Sequence, residues 1–238
     1  MTRTAKFRVW RGDANDGALK DYNIEVNEGE VVLDVIHRLQ ATQTPDLAVR
    51  WNCKAGKCGS CSAEINGRPR LMCMTRMNTF TDEETITVTP LRAFPVIRDL
   101  IVDRSSFDRI MAGGGYVDVR TGSAVDANAI PVAKVDSDAA FDAAACIGCG
   151  ACVAACKNAS AMLFVSAKVS HLGHLPQGQP ERQKRVLAMV RQMDSEGFGN
   201  CTNQYECEAA CPKEISVEHI ARMNRDYMKA FLIEQVVG

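Results

Sequence analysis

The sequence has no run of about 18 uninterrupted apolar residues, so no segment is long enough to cross a bilayer as a helix. Its opening, Met1-Thr2-Arg3-Thr4, lacks the apolar stretch of a secretory leader, and the expectation is a cytoplasmic chain that borrows any membrane association from a partner. Charge of one sign is also missing: 28 Lys and Arg stand against 29 Asp and Glu, a net charge of -1. That balance excludes a sequence-independent nucleic-acid binder, which needs cations to displace counterions from phosphate. No phosphate loop is present either, because Gly113-Gly114-Gly115 is followed by neither Lys-Ser nor Lys-Thr, and it reads as a flexible turn. Cysteine, by contrast, is abundant. Its count of 11 is odd for a disulfide framework, and the residues fall in three tight groups separated by long cysteine-free stretches, a distribution that reads as metal ligation.

At 238 residues the chain has room for two domains of about 100 to 130 residues each. The first half alternates in strand fashion at Lys6 to Trp10 and Tyr22 to Val26, then turns helical from Val31 to Gln40. A Gly- and Cys-rich loop follows from Cys53 to Cys61. Next come a hairpin around Asn66-Gly67 and a last strand, Thr85 to Thr89. Pro90 and Pro95 punctuate the exit, and a helix from about Pro95 to Arg104 is predicted to bridge to the second half. Beyond the boundary, placed near residue 105, strand patterns fade. Arg120 to Asp138 reads as a long loop, and helices are predicted at Ser160 to His171, at Pro180 to Ser195 and at Ser216 to Glu234 behind a Ser cap. The fold class is α+β: a plant-type ferredoxin-like β-grasp domain over 1–105, then a mainly α-helical, bacterial-ferredoxin-like domain over 106–238.

The first cysteine group is Cys53, Cys58, Cys61 and Cys73, a CxxxxCxxC run closed by a fourth cysteine. Four thiolates at the plant-type spacing suit a 2Fe-2S cluster, and Gly56 and Gly59 allow the backbone to approach it closely. Zinc is the alternative, although structural zinc usually pairs two CxxC knuckles and this group has one. No Cys-x-His step occurs here, which argues against Rieske-type ligation.

The second group, Cys146, Cys149, Cys152 and Cys156, is the bacterial ferredoxin run CxxCxxCxxxC, whose fourth cysteine ligates the other cluster. The third group, Cys201, Cys207 and Cys211 followed by Pro212, fits the same run with Gln204 where the second cysteine would stand. By the crossover rule Cys146, Cys149, Cys152 and Cys211 hold a 4Fe-4S cluster, and Cys156, Cys201 and Cys207 are left for a 3Fe-4S cluster with a vacant corner. The alternative at that corner is a fourth iron bound by Gln204, another side chain or solvent.

Order, spacing and the single substituted cysteine resemble the iron–sulfur subunit of the succinate dehydrogenase and quinol:fumarate reductase family. The stretches NCKAGKCGSCSAEINGRPRLMC, CIGCGACVAAC and CTNQYECEAACPKEIS carry the resemblance, which covers nearly the whole chain. It implies an electron-transfer subunit between an FAD-containing flavoprotein and a membrane anchor, with the 2Fe-2S cluster facing the flavin and the 3Fe-4S cluster facing quinone. It also implies a peripheral position on the cytoplasmic face of the plasma membrane. A free soluble ferredoxin and a zinc-stapled module are the other readings. Three residues depart from the family pattern near the expected quinone: Lys157 replaces a proline, Ala161 a tryptophan and Thr202 a histidine. The expectation is a less common branch with a different anchor or a displaced quinone site.

Other motifs read more plainly. His171 and His174 read as solvated or as a subunit contact, and Arg182, Lys184, Arg185 and Arg191 as the polar face of an amphipathic helix. Met162 to Val165 read as a core or subunit-facing helix in preference to a quinone channel, two readings that are compatible. Arg50, Lys54 and Lys57 surround the first loop and would offset cluster charge or dock a partner.

Overall fold

The computed structural model describes residues 2–119 and 132–237. The chain divides into two compact units, Met1–Arg104 with Ile147–Ala155, and Ser105–Cys146 with Cys156–Gly238.

The first unit is built on a five-stranded mixed sheet. Strands β1 (Arg3–Gly12), β2 (Gly17–Val26), β3 (Ser62–Ile65), β4 (Arg68–Leu71) and β5 (Thr85–Thr89) lie in the order β2-β1-β5-β3-β4. β1 and β5 run parallel and the other pairs antiparallel. The period-two pattern of β1 buries Ala5, Phe7 and Val9 and leaves Thr4, Lys6 and Arg8 outside. Helix α1 (Val32–Thr42) contributes Val32, Leu33, Val35, Ile36 and Leu39 to the same core. Asn66 and Gly67 both adopt positive φ, 49° and 72°, as a tight two-residue hairpin requires.

The predicted helix from Pro95 to Arg104 is absent. The chain forms a small hairpin there, β6 (Val96–Arg98) and β7 (Ile101–Val102), turning on Asp99 at φ 48°. β-branched residues on both arms favour the strand form. The Asp99 carboxylate supplies the rest of the reason. It is 2% exposed and accepts hydrogen bonds from the Gly12 and Ala48 amides at 2.9 and 2.8 Å and from Arg11 at 3.1 Å. A helix would withdraw it from all three.

The second unit is helical. It comprises α2 (Ser105–Ala112), α3 (Lys134–Ala144), α5 (Met162–His174), α6 (Arg182–Ser195), α7 (Glu206–Ala209) and α8 (Glu218–Val237); α4 (Ala151–Ala155) belongs to the first unit. α3 overturns part of the loop expected over Arg120 to Asp138. An alanine-rich stretch has high helix propensity, and Ala140 and Ala143 are small enough to bury against α5. The remainder of that loop, residues 120–131, lies outside the described residues. Phe107 on α2 stacks on Phe164 of α5 at 4.1 Å, and Leu163, Phe164 and Val165 are all buried. Ser216 caps α8, accepting the Glu218 amide at 3.2 Å.

Two readings of α5 and α6 change with packing. His174 is not merely solvated; its ring bonds Asp136 at 3.0 Å, and His171 is half-buried, with a pKa lowered first by burial and then by Lys168 and Arg185. Arg185 does not belong to a solvated face. At 2% exposure it donates to the carbonyls of Gly114, Gly178 and Tyr116 at 2.9 to 3.0 Å, so the glycine turn is tied to α6.

Candidate metal centres

No disulfide forms among the eleven cysteines, all of which lie in the described residues. Among those residues no group of three or more His, Cys, Asp or Glu is drawn together as the ligands of a single metal ion would be. A structural zinc would require four donors converging on one point.

The first group lies on the loop between α1 and β3 and just beyond β4, within the first unit. Positive φ at Lys54, Gly56 and Gly59 (54°, 64° and 69°) curls the loop so that its amides point inward. Ala55 and Lys57 donate to the Cys53 sulfur at 3.3 Å each, and Ser60 donates to the Cys58 sulfur at 3.5 Å. Such a nest of N–H groups favours an anionic occupant. Cys61 and Cys73 sit deeper, at 3% and 5% exposure.

The thiols respond to this difference. Burial opposes ionisation of Cys58, but hydrogen bonds from Ser60 and Cys53 outweigh it and bring its pKa down to about 6. Burial, joined by the neighbouring Cys73 thiol, pushes Cys61 up to about 12. Cys58 thus neighbours Cys53, and Cys61 neighbours Cys73. An anionic 2Fe-2S cluster fits this donor set.

Exposed groups rim the same loop. The Lys54 ammonium lies 5.0 Å over the Trp51 ring and 3.9 Å from Asp34, and Trp51 meets His37 edge-on at 4.7 Å. Nothing in the cysteine spacing pointed to His37 or Trp51.

The second group divides between the units: Cys149 and Cys152 belong to the first, Cys146 and Cys156 to the second. Cys149 and Ala151 are part of the N-terminal core, and Cys152 lies in α4. In the second unit the Lys168 ammonium donates to the Cys146 carbonyl at 2.9 Å.

Cys156, Cys201 and Cys207 are brought together in the second unit, on the wall of a cavity of about 360 Å³ that Gln204, Lys157 and Thr202 also line. Burial raises the Cys207 pKa; a hydrogen bond from the Glu208 amide offsets part of this, and the adjoining Cys156 and Cys201 raise it further. Asn203 and Tyr205 adopt φ of 54° and 64° on either side of Gln204, whose amide donates to the Thr202 hydroxyl at 3.3 Å. Asn158 donates to that hydroxyl at 2.9 Å, and Lys157 pairs with Glu206 at 3.6 Å. Ala161 is fully buried, with its amide bonded to the Phe198 carbonyl at 2.9 Å. Met162 and Leu163 reach the cavity wall, whereas Phe164 and Val165 do not. Three thiols and a glutamine around an open space suit a cluster with one protein ligand missing. Cys211 follows α7 without lining the cavity.

Comparison with known proteins finds two iron–sulfur domains along the chain. Residues 6–109 match a 2Fe-2S iron-sulfur cluster binding domain, and residues 142–215 match a 4Fe-4S dicluster domain. The fumarate reductase iron-sulfur subunit of Wolinella succinogenes is 33% identical over 92% of this chain and 94% of its own length. The succinate dehydrogenase iron-sulfur subunit of Bacillus subtilis is 28% identical over 94% and 92%. A chain of the Mycobacterium smegmatis Sdh1 complex in the apo form superposes with a TM-score of 0.74 at 40% identity, covering 96% of this chain and 97% of that one. With both domain matches in order and relatives aligned nearly end to end, the chain belongs to the family of succinate dehydrogenase and fumarate reductase iron–sulfur subunits.

Proposed function

We propose that this chain relays electrons from an FAD-containing flavoprotein to quinone at a membrane anchor, as the iron–sulfur subunit of a succinate:quinone oxidoreductase. Cys53, Cys58, Cys61 and Cys73 hold the 2Fe-2S cluster, and Cys146, Cys149, Cys152 and Cys211 hold the 4Fe-4S cluster. Cys156, Cys201 and Cys207 hold the 3Fe-4S cluster. When bound, these clusters supply one-electron redox steps. The chain's own residues bind them, exclude water and set their electrostatic surroundings; no dicarboxylate chemistry occurs on this chain.

The observation that carries the reading is that three thiols and Gln204 share one cavity, while Cys58 neighbours Cys53 and Cys61 neighbours Cys73 in the first unit. The amides of Ala55, Lys57 and Ser60 stabilise thiolate sulfur, and Arg50, Lys54 and Lys57 partly offset the cluster's negative charge. Lys157 and Thr202 are each held by a neighbour, Glu206 and Asn158. Their place at the cavity wall supports a quinone site or anchor contact unlike the usual one. No helix among the described residues is long and apolar enough to cross a membrane, consistent with a peripheral subunit on the cytoplasmic face held by its anchor.

EPR of the purified complex in oxidised and reduced states tests the reading, together with iron and sulfide counts near nine and ten per chain, roughly the sum of one cluster of each kind. A colourless protein without sulfide would refute it. The same wiring serves quinol:fumarate reduction, since relatives named for each direction match the chain. Turnover of the complex in each direction decides between them.

A further inference from the structure

We propose that Arg104 and Gly59 form a clamp that fixes the separation between the first two cluster-binding loops, and thereby the gap an electron crosses between them. The proposal rests on the ligand reading above, since it needs a cluster on each loop.

The Arg104 guanidinium spans two carbonyls. One nitrogen donates to Gly59 at 3.1 Å, and the other donates to Gly148. Gly59 lies between Cys58 and Cys61, and Gly148 between Cys146 and Cys149. All the contacting residues, Arg104, Gly59, Ile147, Gly148 and Cys149, fall in the first unit. The fork of donors suits this task, because an ammonium is a point donor and cannot hold two fixed carbonyls in one plane.

Gly59 makes the approach possible. A Cβ placed on it would stand 2.7 Å from the Ile147 carbonyl oxygen and 2.9 Å from the Cys149 Cα, and its φ of 69° already disfavours a side chain. The facing segment is seated firmly: Ala151 and Val153 are fully buried, and a Cβ on Gly150 would meet the Phe94 ring at 3.2 Å. Two loops that touch backbone to backbone and share one guanidinium have little freedom to separate. With both clusters bound, the gap would carry one electron from a reduced two-iron centre to an oxidised four-iron centre, with no bond formed or broken.

The test uses the intact complex carrying Arg104→Gln, Arg104→Lys or Gly59→Ala. Its readout is the microwave power saturation of the two-iron EPR signal with the four-iron centre oxidised and then reduced, because magnetic interaction between two centres falls steeply with distance. Arg104→Gln and Gly59→Ala should lose most of the relaxation enhancement seen in the unmodified protein at full iron content. Arg104→Lys, which keeps the charge but reaches one carbonyl, should lose part of it. A merely stabilising role would lower the melting temperature and leave the enhancement unchanged, and that result at full iron overturns the clamp. If the first two variants fail to retain iron, Arg104→Lys decides alone by the same criterion. Failure of the ligand reading looks different, since the unmodified protein would then lack one of the two signals.

Discussion

The first cysteine group and the cavity group solve the same problem with different materials. Around Cys53 and Cys58 the backbone does the work: positive φ at Lys54, Gly56 and Gly59 turns amides onto sulfur, and Cys61 and Cys73 are sealed in the core of the sheet. Around Cys156, Cys201 and Cys207 side chains do it, with Gln204, Thr202, Asn158 and the Lys157–Glu206 pair bordering a space of about 360 Å³. The first arrangement buries two of its four thiols, Cys61 and Cys73, and leaves Cys53 and Cys58 half-buried under their amides. The second borders an open space on three half-buried thiols, which leaves room for a partner molecule to approach.

Removing a thiol should break this comparison most sharply. Cys61→Ser or Cys73→Ser is expected to abolish the two-iron EPR signal and lower iron by about two per chain, with the other clusters retained because they stand on other ligands. A chelator should strip iron from Cys156, Cys201 and Cys207, all three half-buried, before the first cluster, where Cys61 and Cys73 are buried and only Cys53 and Cys58 are half-buried, as followed by the loss of each EPR signal over time.

Completing the short set sharpens the contrast. Gln204→Cys should replace the three-iron signal of the oxidised protein with that of a four-iron cluster and raise iron by about one per chain. An unchanged signal would mean that Gln204 does not face the vacant corner.

Smaller effects concern what holds the first unit. Asp99→Ala removes the acceptor of two half-buried amides and one of the two carboxylates that Arg11 holds, Asp46 remaining, and should cost about 3 kcal/mol in denaturant unfolding. Glu30→Gln should cost about 2 kcal/mol at neutral pH, after allowance for partial exposure. The Arg38 guanidinium, against a smaller opposing effect of burial, brings the Glu30 carboxylate down to about 2 from its ordinary 4.5. Its contribution is therefore complete above about pH 4.5 and fades as the pH falls toward 2.

Much of the fold was legible because its signals are local. Alternation around Phe7, the Asn66-Gly67 turn and the α1 pattern are written in neighbouring residues, and Thr85–Thr89 runs as expected. The hairpin at Val96–Val102 was not legible, because Pro-Val-Ile-Arg-Asp-Leu carries helix and strand signals at once. The partners of buried Asp99, at Gly12 and Ala48, decide between them from far along the chain. Arg185 likewise carried the pattern of a surface cation until three carbonyls claimed it.

Cysteine spacing by itself determined the kind of chemistry, since thiolate number and interval are properties of the chain and iron–sulfur clusters demand particular ones. Only the tertiary structure decided the rest: that Ile147–Ala155 packs into the sheet unit, that Gly59 meets Ile147 and Cys149, and that Gln204 shares a cavity with three thiols. These depend on buried contacts between residues remote in sequence, whose energies exist only once the chain has closed upon itself.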